Sequence, residues 1–181
     1  NEGFPTQAPG WLRPTEQVVR QAGGLLICDE VQSGFARSGS HCWAHQKQGV
    51  APDVVTMGKP MGNGYPIAGL VTRPEVMERF RGSYRYFNTF GGNPVACAAA
   101  TAVLEEIEQR NLQANAARIG ALAAQALTRL STKYPVIGDV RQSGMVFGVE
   151  FLTDKATLEP ASAFADQVVE IKKQALTFSN P

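Results

Sequence analysis

Leu25-Leu26-Ile27-Cys28-Asp29-Glu30-Val31-Gln32 is a continuous apolar run that ends abruptly in two acids. Continuous rather than alternating apolar residues are expected of a strand covered on both faces, and the acids mark where that strand emerges at a polar site. Upstream, Thr15 reads as the cap of a helix through Val18 and Val19 that stops at Gly23-Gly24, which gives a helix followed by a strand. Downstream, Asp53-Val54-Val55-Thr56-Met57 repeats the form and ends in Gly58-Lys59. Ile67 to Thr72 then reads as a third strand, after the turn signals of Gly62-Asn63-Gly64-Tyr65-Pro66. Polar chemistry therefore gathers at strand ends.

Asn93 as N-cap and Pro94 at the first helical position open a helix over Val95 to Arg110, and a second helix runs from Leu112 to Tyr134. Val136 to Val140 and Met145 to Phe151 switch to a two-residue period, and a last helix begins near Ser162. This mixture predicts an α/β fold, with a smaller α+β unit starting between Leu112 and Pro135.

The 181 residues are 44% hydrophobic and 18% charged with a net charge of +1, so nothing electrostatic favours nucleic acid or an acidic membrane as partner. A small substrate is the expectation. Cys28, Cys42 and Cys97 form an odd set without CxxC spacing, which points to a reducing compartment, the cytoplasm, with the mitochondrion left open. No apolar run approaches the ~20 residues needed to span a bilayer. The chain lacks an initiator Met and its last helix breaks off at Phe178-Ser179-Asn180-Pro181, so it reads as a fragment.

Three features carry chemistry. Asp29, fixed at a strand end, suits a cation, and a pyridinium N–H is such a cation. An acid that caps a loop has the same pattern, and so does the metal-binding strand of a P-loop NTPase. The latter needs GxxxxGK[ST], yet Asp53 stands where its first Gly belongs and Pro60 where Ser or Thr belongs. Lys59 stands among small and apolar residues, where desolvation would favour the neutral amine that attacks an aldehyde carbon, although most lysines are simply surface residues. Gly58, Gly62 and Gly64 beside it permit close backbone approach to a ligand. Lastly, Thr89 and Gly91-Gly92 precede a helix N-terminus, a setting for a phosphate and equally for an ordinary capped helix. His41 and His45 lie four apart, but with no third ligand at a metal-site spacing they are read as packing or backbone-bonding residues, and no metal site is expected.

Taken in order, DEVQSGFARSG (Asp29 to Gly39), PDVVTMGKPMGNGYP (Pro52 to Pro66) and FNTFGGNPVACAA (Phe87 to Ala99) resemble class III, ω-type aminotransferases, which are pyridoxal 5′-phosphate (PLP) enzymes of fold type I. The likeness runs from about Gly10 to Phe151 and leans towards the alanine-glyoxylate aminotransferase and amino-alkyl phosphate phospho-lyase branch. It implies that residues 1–111 are the C-terminal part of a large mixed-sheet domain and that 112–181 hold a linking helix and the start of a small α+β domain. It further implies that Lys59 forms the cofactor Schiff base and moves the proton in catalysis, and that Asp29 pairs with the pyridine nitrogen. Val31 and Gln32 would touch the ring and its phenolic oxygen. Thr89 would reach the phosphate in a partner subunit, which implies a homodimer with shared active sites acting on an amino donor and a 2-oxo acid. Ala36 replaces a usual Gly and Pro60 a usual Gly or Ser. The family's first phosphate-binding segment, ring-stacking aromatic and carboxylate-binding arginine fall outside these residues, so the chain alone is expected to be inactive. The competing class is a nucleotide-binding or structural α/β module in which Asp29 and Lys59 are incidental.

Overall fold

A computed structural model describes residues 7–178. The opening residues Asn1 to Thr6 and the closing Ser179-Asn180-Pro181, part of the end where the last helix was read as breaking off, lie outside the described residues.

The described chain divides into two compact units. One comprises Gln7–Ile119 with Ser143–Met145 and holds a mixed sheet of three strands, β1 (Ile27–Asp29), β2 (Val54–Met57) and β3 (Gly69–Thr72), with β2 in the centre. β1 runs parallel to β2 with Ile27 opposite Val54 and Asp29 opposite Thr56, whereas β3 is antiparallel, with Val54 opposite Thr72. The carboxyl ends of β1 and β2 therefore finish side by side, the place where open α/β sheets bind ligands.

Helix α1 (Arg13–Gln21) precedes β1. It begins two residues before the expected cap: Leu12 is the N-cap, without a side-chain cap bond, and Thr15 lies inside the helix, because Pro14 already sets a helical φ in the first turn. Leu26, Cys28 and Val50 form a small core with Leu12 packed against it. The strand is not covered on both faces as expected: Leu26 and Cys28 are buried, but Leu25 and Ile27 are 50% and 60% exposed, since no element among the described residues covers that face.

A five-residue helix, α2 (Ala44–Gln48), and a longer one, α3 (Pro74–Ser83), separate the strands. Helix α4 (Pro94–Gln109) starts as its sequence demands, with the Asn93 side chain accepting from the Ala96 N–H at 2.9 Å and Pro94 in the first turn. Helix α5 spans Leu112–Lys133.

The second unit holds residues 120–142 and the chain from Val146 onwards. Its sheet has the order β4 (Ile137–Ser143), β5 (Val146–Asp154), β6 (Glu159–Pro160), with α6 (Ser162–Phe178) packed on β5. Phe151 of β5 meets Phe164 of α6 edge to face at 5.2 Å, and Ile137, Leu152 and Ala161 are buried.

Candidate functional site

Asp29 is the last residue of β1, and what holds its carboxylate is local. Oδ1 accepts the Val31 N–H at 2.9 Å and the Thr56 hydroxyl at 3.1 Å. Among the described residues no group donates to Oδ2. The ladder continues one residue further, because the Glu30 N–H donates to the Thr56 carbonyl at 2.9 Å. The acid is thus fixed at its root and through one oxygen, and its other oxygen is open to a cation.

Lys59 follows β2 by two residues. Its Nζ donates to Oε1 of Gln32 at 3.3 Å, so the amine leans towards the segment that follows Asp29. Between them Val31 packs against Gly58, where an added Cβ would lie 3.2 Å from Val31 Cγ1 and crowd the path between strand and lysine. Four of the five site residues read from the sequence, Asp29, Val31, Gln32 and Lys59, therefore gather at the joint carboxyl end of β1 and β2. The chain then folds back on itself: the Met61 N–H donates to the Gly58 carbonyl at 2.6 Å and the Tyr65 N–H to the Gly62 carbonyl at 3.0 Å. Gly62 has no alternative here, since a side chain would collide with the Tyr65 carbonyl oxygen. Lys59, Gly62 and Asn63 also line a cavity of about 710 Å³ whose far wall is Ala99, Val103 and Ile107.

Lys59 is exposed, and so is Asp29. The dry surroundings expected for Lys59 are not supplied by the described residues. The fifth residue, Thr89, lies apart in the exposed segment Tyr84–Gly92, where the Asn88 side chain accepts from the Phe90 and Gly91 N–H groups, each at 3.1 Å. Phe87 and Phe90 on either side are 85% and 79% exposed, so this segment offers Thr89 and two large rings outward.

Two acids that the sequence reading left without a role turn out to be the buried ones. Glu30, 1% exposed, accepts from the Ser33 hydroxyl at 2.6 Å, the Ala44 and His45 N–H groups at 3.0 and 2.8 Å, and the His45 ring at 2.9 Å. It satisfies the free N–H groups at the start of α2 and seats the loop behind Gln32. His45 is thereby committed to Glu30, while Trp43 meets Phe35 edge to face at 5.1 Å. Asp53, 2% exposed, accepts the Leu26 N–H at 2.8 Å and pairs with Arg20 at 3.2 Å and Arg73 at 2.6 Å. The Leu26 N–H, followed by the two guanidinium groups, holds its carboxyl below the ordinary carboxylate range. Burial pushes the thiols of Cys28 and Cys42 up, so neither is a ready nucleophile.

The family model for class-III aminotransferases matches residues 1–177 of the chain. Human mitochondrial alanine–glyoxylate aminotransferase 2 is 44% identical over 151 residues, which are 83% of this chain and 29% of that protein. A Caenorhabditis elegans ethanolamine-phosphate phospho-lyase homolog is 46% identical over 149 residues, 81% of this chain and 32% of the relative. Among solved structures, a phospholyase from Arthrobacter in complex with phosphoethanolamine superposes with a TM-score of 0.83 at 42% identity, over 88% of this chain and 38% of that one. The chain thus spans about a third of the length of the proteins it matches.

Proposed function

Since this chain belongs to the class-III aminotransferase family, we propose that it carries the lysine-bearing share of a PLP site in a protein that moves an amino group from an amino acid or amine to a 2-oxo acid. The observation that carries the reading is the convergence of an amine and a half-satisfied carboxylate at the neighbouring carboxyl ends of β1 and β2.

The donor set fits the cofactor. Lys59 would hold its aldehyde carbon covalently, the free Oδ2 of Asp29 its ring N–H, Val31 one face of the ring and Gln32 the phenolic oxygen. When bound, PLP supplies an electron sink for the bond broken at the substrate Cα. The Asp29 carboxylate would accept the ring N–H and so favour the protonated ring nitrogen. The free Lys59 Nζ would be the base for the proton on the substrate Cα, and Gln32 Oε1 gives that amine a resting partner at 3.3 Å. Thr89, on its exposed segment, would donate its hydroxyl to the phosphate held by a second copy, so the protein is proposed to act as a homodimer with shared sites. Residues 1–111 would belong to the large cofactor domain and 112–181 to the linking helix and the start of the small one. No helix among the described residues is long and apolar enough to cross a membrane. The cytoplasm is the proposed compartment, with the mitochondrion, named for the human relative, as the alternative; either keeps the free Cys28, Cys42 and Cys97 reduced.

In the intact protein an absorbance band from bound PLP is expected, and borohydride should fix the cofactor to Lys59. Lys59→Ala should lose both the fixed cofactor and the amino transfer. A Lys59→Ala protein that still takes up a borohydride-fixed cofactor would falsify the assignment. A second reading, favoured by the phospho-lyase relative and structure, is elimination of phosphate from an amino-alkyl phosphate. Incubation with phosphoethanolamine separates the two: phosphate release without any 2-oxo acid present replaces transamination by elimination as the reaction.

A further inference from the structure

Thr56 has no proposed contact with the cofactor. It is, however, the register partner of Asp29 across the parallel pair β1 and β2. We propose that Thr56 is a positioning residue which, by tying down one oxygen of Asp29, presents the other to the ring nitrogen. This rests on the reading of Asp29 given above.

The Asp χ2 torsion is broad and roughly two-fold, so a carboxylate at a strand end does not by itself choose which oxygen it offers. Here two donors, the Thr56 hydroxyl at 3.1 Å and the Val31 N–H at 2.9 Å, converge on the same oxygen, Oδ1. Their convergence leaves Oδ2 as the single unengaged acceptor and fixes the carboxylate plane. Thr56 is well placed to be rigid itself. Its carbonyl accepts the Glu30 N–H at 2.9 Å, its neighbours are held in the ladder on both sides, and a β-branched side chain on a strand has few rotamers. A hydrogen bond to a charged group is roughly twice as strong as one between neutral groups, so removal of the hydroxyl should be felt at whatever Asp29 holds.

The test uses the intact holoenzyme. Its apo form is titrated with PLP by absorbance for the wild type, Thr56→Val, Thr56→Ser and Asp29→Ala, and for Thr56→Val combined with Asp29→Ala. Valine keeps the shape and loses the donor, so PLP should bind about tenfold more weakly, a fold-change set by the strength of a charged hydrogen bond. Serine, which keeps the donor, should bind within about twofold of the wild type on the same scale. With Asp29→Ala present, Thr56→Val should add nothing, because the hydroxyl then has no carboxylate to position. The inference is overturned if Thr56→Val binds PLP as the wild type does, or if it loses the same factor with and without the Asp29 side chain. Wild-type protein that takes up no PLP at all instead overturns the cofactor reading of Asp29, and with it the role of Thr56.

Discussion

Asp29 and Asp53 stand at opposite ends of the same pair of parallel strands, one closing β1 and the other immediately preceding β2. Asp53 is buried and surrounded: the Leu26 N–H, Arg20 and Arg73 donate to its two oxygens, and its own carbonyl accepts the Thr72 hydroxyl at 2.8 Å. It ties α1, the start of β1 and the end of β3 to the start of β2. Asp29 is exposed, with two donors on one oxygen and none on the other. A carboxylate whose acceptor sites are filled by its own chain has nothing left to offer a ligand, and one that is half filled does. Saturation goes with burial here, and together they separate the acid that builds the sheet from the acid left with an open oxygen.

Exchanging the two losses is the strongest way to break this comparison. In the intact protein, Asp29→Ala should lower kcat/KM by about 10²–10³-fold, the scale of a missing electrostatic partner at a reacting centre, while the thermal midpoint stays near the wild-type value. Asp53→Ala should do the reverse, with a large fall in the thermal midpoint and an almost unchanged kcat per folded molecule. Calorimetry beside steady-state kinetics reads both, and an Asp53→Ala enzyme that folds normally but is inactive would erase the distinction.

Glu30 sharpens the same point within one residue of Asp29. It is full where its neighbour is half empty, with four donors on its carboxylate. Glu30→Gln turns one acceptor oxygen into an NH₂ group facing N–H groups, so a loss on the order of 2 kcal/mol is expected in urea unfolding, the scale of an unsatisfied buried donor. PLP affinity in the folded fraction should change much less.

Acid offers a subtler handle. The folded-state pKa of Asp53 is depressed, first by the Leu26 N–H and then by Arg20 and Arg73. Such a group adds stability that is fully present above its unfolded value, about 3.9, and is lost as the pH falls through the lower folded value. The thermal midpoint should therefore hold its Asp53 contribution down to about pH 4 and shed it below that. Asp53→Asn should lack this part of the acid limb, whereas Asp29→Asn should retain it.

How much of this was legible in the sequence follows from the range over which each cause acts. Strand and helix positions are local, and Asn93-Pro94 or the apolar runs before Asp29 and Lys59 mark them through nearby residues alone. That Asp29 and Lys59 stand at strand ends was legible too, because sequence order places them there. What escaped depends on distant partners. Asp53 and Arg20 are 33 residues apart and neither is flanked by anything unusual, so their pairing exists only once the sheet has formed. The open outer face of β1 escaped as well, since a continuous apolar run states that Leu25 and Ile27 have somewhere to be buried but not whether the described residues provide it. Helices α2 and α3 went unread: α2 is five residues stabilised by Glu30 from outside, and α3 is weakly amphipathic with no buried residue.

The smallest expected effect concerns the loop that leads away from Gln32. Phe35 and Ala36 both lie in the left-handed region, with φ of 60° and 63°, and Ala36 is only 3% exposed. A non-glycine residue there costs roughly 1–2 kcal/mol. Ala36→Gly would relieve that strain, but it also removes a buried methyl worth about 0.8 kcal/mol and adds about 0.5–1 kcal/mol of backbone entropy to the unfolded chain. These terms nearly cancel, so Ala36→Gly should be neutral to within about 0.5 kcal/mol. Ala100→Gly, at a buried position inside α4, meets both costs with no strain to relieve and should lose about 1–2 kcal/mol. A glycine at 36 that destabilises as much as one at 100 would mean that this backbone is not strained, and that the Ala36 methyl contributes to stability as the one inside α4 does.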